Sequence, residues 1–170
     1  MPKTTQPAFD AALWFQWIMA TTLGWLLGSL VFSNLALVSA GVGVGAMQWV
    51  VLHRRIARAW RWFLATAAAW LVASILLLVA VPAGLQGLLA GVIVGPAVGV
   101  AQWLLLRREV SWAGWWIVVS TMGWITGLTL LPGVLSTGAL AGAITGLALT
   151  LLLAYPKTAS TPQAEAESRN

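Results

Sequence analysis

The side chains able to move a proton are few and poorly placed for catalysis. The 170 residues include four carboxylates, Asp10, Glu109, Glu165 and Glu167, one histidine, His53, and no cysteine. Each of these five lies at a chain end, in a charged loop or at the close of an apolar run. Acid–base catalysis needs titratable groups converging on one substrate, and a serine or threonine nucleophile needs a neighbouring base. Neither spacing occurs. No second His, Cys or carboxylate stands at ligand distance from His53, so an ordinary protein metal site is not written in the chain. A single His could ligate a pigment or haem, but an internal repeat aligns His53 with Arg107, which marks it as the polar end of a span. The expectation is a protein without enzymatic activity, with no catalytic and no metal-binding residues.

The groups left to recognise a ligand are aromatic or uncharged. Of 12 tryptophans, Trp25, Trp70 and Trp124 follow Thr21, Thr66 and Ser120 by four positions, which puts each pair on one helix face. Three such stripes around a common axis could line an apolar pocket for a flat lipophile, such as a quinone, carotenoid or chlorin, with Gln48 and Gln102 supplying hydrogen bonds. The alternative is that these indoles fill space between helices and bond to the hydroxyls. Trp14, Trp17, Trp49, Trp60, Trp62, Trp103, Trp112, Trp115 and Trp116 fall near the charged ends of apolar runs. They read as headgroup-level indoles, with the ring in lipid and the N–H near water. No particular cofactor is specified.

The elements that must position these groups are membrane helices. With 60% hydrophobic and 8% charged residues, the chain is far from the globular norm of about a quarter charged. Six apolar runs reach the roughly 20 residues needed to cross a bilayer: Ala12 to Phe32, Leu35 to His53, Trp60 to Val81, Ala83 to Leu106, Trp112 to Leu131 and Val134 to Tyr155. The first is too long for the apolar region of a secretory signal, about 7 to 15 residues, and is read as retained. Uncharged turn residues break the chain at Ser33 and Asn34, at Pro82 to Gly84, and at Pro132 and Gly133. All nine Lys and Arg residues fall at the termini or around the other two loops, hence on one side after six crossings. The positive-inside rule makes that side cytoplasmic. The predicted organisation is all-α: a cytoplasmic segment 1–11, a six-helix transmembrane domain 12–156, and a polar cytoplasmic tail 157–170. The setting is a bacterial inner membrane.

The transmembrane part repeats as three hairpins, 12–53, 60–106 and 112–155. Aligning Trp25, Trp70 and Trp124 brings Trp17, Trp62 and Trp116 into register, and Gly24, Ala69 and Gly123 with them. In the second helix of each hairpin, Gly41 to Arg55 matches Gly95 to Glu109, pairing Gln48 with Gln102. The third copy keeps Gly142 and Gly146 but has Leu149 and Thr150 in place of Gln-Trp. Copies of two crossings share one orientation, so an axis relating them runs along the membrane normal; a pseudo-threefold bundle is the natural expectation. Small residues at spacing four (Gly24 and Gly28; Gly41 and Gly45; Gly91, Gly95 and Gly99; Gly123 and Gly127; Gly138, Gly142 and Gly146) form ridges that allow close helix packing, within the chain or against a partner.

The formal net charge is +5, but it is local rather than spread over a face, which argues against nucleic acid. Arg54, Arg55, Arg58, Arg61, Arg107 and Arg108 are expected at lipid headgroups.

Trp17 to Gly28 and Trp116 to Gly127 fit W-x-x-x-T/S-T-x-G-W-x-x-G, and Gly41 to Arg54 and Gly95 to Arg108 fit G-x-x-x-G-x-x-Q-W-x-x-L-x-R. In these motifs, over Ala12 to Tyr155, the chain resembles a group of small bacterial polytopic membrane proteins, found in phototrophic lineages among others. The middle repeat departs from the first motif at Ala67, Ala69 and Ala73. The resemblance implies the same fold, brings no catalytic residue, and points towards energy-converting membranes. The leading functional expectation is an accessory or scaffolding subunit of a larger membrane complex, photosynthetic or respiratory, with a membrane-protein partner or a second copy of the chain as its contact. A binding protein for a lipophilic pigment or quinone and a facilitator of an uncharged solute are the alternatives.

Overall fold

A computed structural model describes residues 9–31, 36–133 and 135–156. The expected break at Ser33 and Asn34, together with Lys3 and the tail from Lys157, lies outside the described residues.

Six α-helices follow one another among the described residues: α1 (Ala11–Val31), α2 (Ala36–Leu52), α3 (Trp60–Ala80), α4 (Gln86–Leu106), α5 (Trp115–Trp124) and α6 (Ser136–Leu153). No strand forms among the described residues, and a single antiparallel bridge joins Val110 to Pro156. Among the described residues, three helical stretches are long and apolar enough to cross a membrane: Trp60–Ala80, Ala83–Leu106 and Ser136–Leu153. Helix α1 spans 21 residues but carries Gln16, Thr21, Thr22 and three tryptophans, which dilute its apolar character.

Local chemistry sets the helix ends. Asp10 caps α1, its Oδ1 accepting the Leu13 amide at 2.8 Å, as a short acceptor before a helix does. Pro82 ends α3, and the chain turns through a short 3₁₀ segment, Ala83–Leu85. The Gln86 side chain then donates to the carbonyls of Leu77 and Val81, both at 3.2 Å; the Leu77 oxygen also accepts the Val81 amide, whereas the Val81 oxygen lies beyond the end of α3. Helix α5 begins three residues later than the apolar run, because Trp112 and Ala113 are spent on i−3 turns that receive the amides of Trp115 and Trp116. At its far end α5 widens into a π-helical turn, Ile125–Leu130, stopped by Pro132.

Each helix packs on its neighbours in sequence, and α6 returns to α1, so the six helices close into a ring. Small residues make that closure possible. In α1, a Cβ on Gly24 would lie 2.6 Å from the Gly43 oxygen of α2; in the α5 segment, one on Gly127 would lie 2.6 Å from the Thr137 oxygen of α6. Those contacts tighten hairpins. The glycines spaced by four in α2, α4 and α6 (Gly41 and Gly45; Gly91, Gly95 and Gly99; Gly138, Gly142 and Gly146) instead face the first helix of the next hairpin. A Cβ added to Gly45 would meet Phe63 and Thr66, one on Gly95 would lie 2.7 Å from Thr121 Cα, and one on Gly138 would lie 2.6 Å from Thr22 Cα of α1. The last contact joins the end of the chain to its beginning.

Candidate functional site

The interior of the ring holds two tryptophan layers separated by a polar one. Near the charged end, Trp17, Trp62 and Trp116 meet edge to face, with centroids 5.7, 6.3 and 5.6 Å apart. None is more than 1% exposed. Here the sequence reading needs correction: these indoles are buried inside the bundle, not turned outward with their rings in lipid. Each lies four residues before Thr21, Thr66 or Ser120, on the same helix face, and that face turns inward. Trp49, Trp60, Trp112 and Trp115 are exposed, in keeping with an interfacial position.

Each inner indole N–H finds an acceptor on the preceding helix. Trp62 Nε1 donates to Gln48 Oε1 and Trp116 Nε1 to Gln102 Oε1, both at 2.9 Å. The glutamine amides continue the chain of bonds, Gln48 Nε2 to Thr21 Oγ1 at 3.1 Å and Gln102 Nε2 to Thr66 Oγ1 at 2.8 Å. Gln102 Nε2 also reaches Gln48 Oε1 at 3.3 Å, which couples two hairpins. In the third copy Leu149 has nothing to accept with, and Trp17 Nε1 donates instead to Thr145 Oγ1 at 3.0 Å, one turn away on α6. Ser120, without a glutamine donor opposite it, gives its proton to the Gly95 carbonyl at 3.1 Å. All these polar groups are at most 4% exposed, a setting in which unpaired donors are costly.

The deeper layer is built from Trp25, Trp70 and Trp124, whose centroids are 6.0, 6.5 and 4.9 Å apart. They pack with Val44, Val94, Val98 and Leu128 in the main apolar cluster. The expected hydroxyl partners do not reach these rings: Thr21, Thr66, Gln48 and Gln102 bond towards the other tryptophan layer. The Trp70 Nε1 and the Ser74 Oγ, one turn further along α3, are buried without a hydrogen-bond partner among the described residues.

At the charged end, the start of α1 and the segment after α6 are tied to the loops. Arg55 donates to Asp10 Oδ2 at 2.8 Å, and the Ser111 amide bonds to the Tyr155 carbonyl at 3.4 Å. The Asp10 carboxyl is held below its ordinary value by the Leu13 amide first and then by the Arg55 guanidinium. The His53 ring engages both nitrogens, Nδ1 at 2.5 Å from the Val50 carbonyl oxygen and Nε2 at 3.3 Å from Arg54 Nε.

The six arginines expected at lipid do not act as one patch. Arg58, Arg61, Arg107 and Arg108 surround a cavity of about 550 Å³ between the α2–α3 loop and the end of α4. Arg54 and Arg55 border a groove of about 740 Å³ between α1 and α2, whose walls include Phe15, Met19 and Met47. Arg61 and Arg107 lie over the rings of Trp60 and Trp103, at 5.7 and 5.2 Å from their centroids.

Sequence reasoning missed Thr145 as an indole acceptor and the inward turn of Trp17, Trp62 and Trp116. The i,i+4 spacing from Trp17 to Thr21, kept in all three copies, is the signal that could have found the second. No protein-family model, no curated protein and no solved structure matches the chain.

Proposed function

We propose that the chain is a six-span bacterial inner-membrane protein without enzymatic activity, with both termini cytoplasmic, which serves as an accessory or scaffolding subunit of a larger membrane complex. The observation that carries this reading is the use made of the interior. Two tryptophan triads occupy the axis, and the glutamines, threonines and serine between them are engaged in tying helices together. Groups so engaged are not free to carry a reaction or a solute, which leaves the outer wall as the working surface. That wall is apolar, with Leu30, Leu78 and Val79 among its exposed side chains, as lipid or another membrane helix requires. The placement of all nine cations at the termini and two loops supports the orientation. The filled axis counts against the facilitator reading.

A second reading, the binding of a lipophilic pigment or quinone, is favoured by one feature: the unpartnered Trp70 Nε1 and Ser74 Oγ in the deeper layer. One preparation distinguishes the two. The protein is purified from its native membrane in mild detergent, and an absorption spectrum and a mass-spectrometric partner list are recorded on the same sample. Stoichiometric membrane-protein partners without chromophore are expected. Recovery of the chain alone with a retained chromophore or quinone overturns the subunit reading in favour of the second.

A further inference from the structure

We propose that the cavity between the α2–α3 loop and the C-terminal end of α4 is a specific site for an anionic phospholipid, which places its phosphate among Arg58, Arg61 and Arg108. The proposal rests on the reading that this end of the bundle lies at the membrane surface, and it goes beyond that reading by assigning one lipid site where topology alone asks only for scattered positive charge.

The cavity has the two chemistries that a phospholipid presents. Its floor is apolar: the half-buried Ile56 and Leu105 face it, backed by the fully buried Leu52, Trp62 and Leu106. Its rim carries four arginines against one carboxylate, Glu109. The volume of about 550 Å³ is in the range of small-molecule sites, roughly 300 to 1,000 Å³. Leu104, also part of the lining, is exposed on the outer wall, so the apolar floor continues to where acyl chains lie. A free inorganic anion would have no use for that floor.

Three of the four rim arginines, Arg58, Arg61 and Arg108, have no carboxylate partner among the described residues. The ion pair formed among those residues is Arg55 with Asp10, outside this cavity. The backbone supports the same assignment. Arg58 has φ of 59°, the left-handed region that favours glycine and is unfavourable for a long side chain. A non-glycine residue held there marks a local cost that the surrounding structure sustains, and here it turns the loop so that Arg58 lines the cavity. The groove bordered by Arg54 and Arg55 is the weaker candidate, because Arg55 is already paired.

The full-length chain in detergent is titrated by native mass spectrometry with phosphatidylglycerol, with phosphatidylcholine and with inorganic phosphate. One phosphatidylglycerol is expected to bind at least tenfold more tightly than phosphatidylcholine, and millimolar inorganic phosphate is expected not to displace it. Arg58→Gly removes the charge while keeping the left-handed backbone, and is expected to weaken phosphatidylglycerol about fivefold, as is Arg108→Gln, from the worth of one basic residue near anionic lipid. Arg54→Gln is expected to leave it unchanged. Equal affinity for the two lipids in the unmodified chain overturns the proposal without recourse to any variant. So does a loss from Arg54→Gln as large as that from Arg58→Gly, which would mean diffuse attraction, and so does displacement by inorganic phosphate, which would mean a free-anion site. Membrane orientation is read separately, from single-cysteine labelling in intact cells, so its failure is distinguishable from failure of the lipid site.

Discussion

Gln48 Oε1 accepts the indole N–H of Trp62 at 2.9 Å, a bond between the last turns of α2 and the first turn of α3 that Gln102 and Trp116 reproduce one hairpin later. Leu149 occupies the corresponding place in the third hairpin, and the bond there is carried by Thr145. Gln102→Leu is therefore expected to leave the Trp116 N–H and the Thr66 hydroxyl short of partners. The expected loss is about 1–3 kcal/mol from the orphaned donor, towards the lower end because interhelical hydrogen bonds in membranes average about 0.6 kcal/mol. Reversible unfolding in mixed micelles measures it, and an unchanged midpoint would count against the network as a stabilising element.

The two tryptophan layers are expected to respond differently to loss of the indole N–H. Trp62 and Trp70 are both fully buried, but Trp62 bonds to Gln48 whereas Trp70 Nε1 has no partner among the described residues. Phenylalanine at either site leaves a similar void, while only Trp62→Phe also breaks a hydrogen bond. Trp62→Phe should be the more destabilising by roughly 1 kcal/mol, measured on the same unfolding curve. Equal losses would show that the bond to Gln48 contributes nothing.

Ring closure depends on α6 lying against α1. A Cβ on Gly142 would stand 3.0 Å from Ile18 Cα, so Gly142→Leu must push two backbones apart. Gly45→Leu and Gly99→Leu act likewise at the contacts of α2 with α3 and of α4 with α5. All three are expected to abolish a monodisperse folded peak in size-exclusion chromatography. Gly114→Ala, where nothing lies within 4 Å of the added carbon, is expected to elute unchanged.

The link between Asp10 and Arg55 should give a one-sided acid dependence. Because the folded carboxyl titrates below its ordinary 3.8, the contribution is fully present above that value and is lost as pH falls through the lowered one. Amide exchange in the first turn of α1 should then be flat from pH 7 to about 5, after correction for intrinsic rates, and accelerate only under stronger acid. Asp10→Asn should remove the acid step. An acid step that survives in Asp10→Asn would assign it to another group.

Six crossings with cytoplasmic termini can be tested directly, since the chain has no cysteine of its own. Gly84→Cys, in the turn between α3 and α4, is expected to react with a membrane-impermeant maleimide in intact cells. Ala57→Cys and Ser111→Cys, in the two basic loops, should react only after lysis. Labelling of all three from the same side would overturn the six-span arrangement.

The sequence by itself determined the helical class and the approximate position of each described helix, because apolar length and turn residues are properties of local order in the chain. It also singled out Gln48, Gln102, Thr21, Thr66 and Ser120, but as parts of a lipophile pocket with Trp25, Trp70 and Trp124 and not as the ties between helices that they form. What it could not determine was which way each face turns once six helices are packed. Trp17 and Trp49 look alike on the line of the chain, each an indole near a charged end. One is buried on the axis and the other exposed on the wall, since the face that a helix buries is set by the two helices beside it. The same reason separates Arg58 from Arg54. Four residues apart in sequence, they border different cavities, because the left-handed turn at Arg58 and the end of α4, some fifty residues later, enclose one of them and leave the other outside.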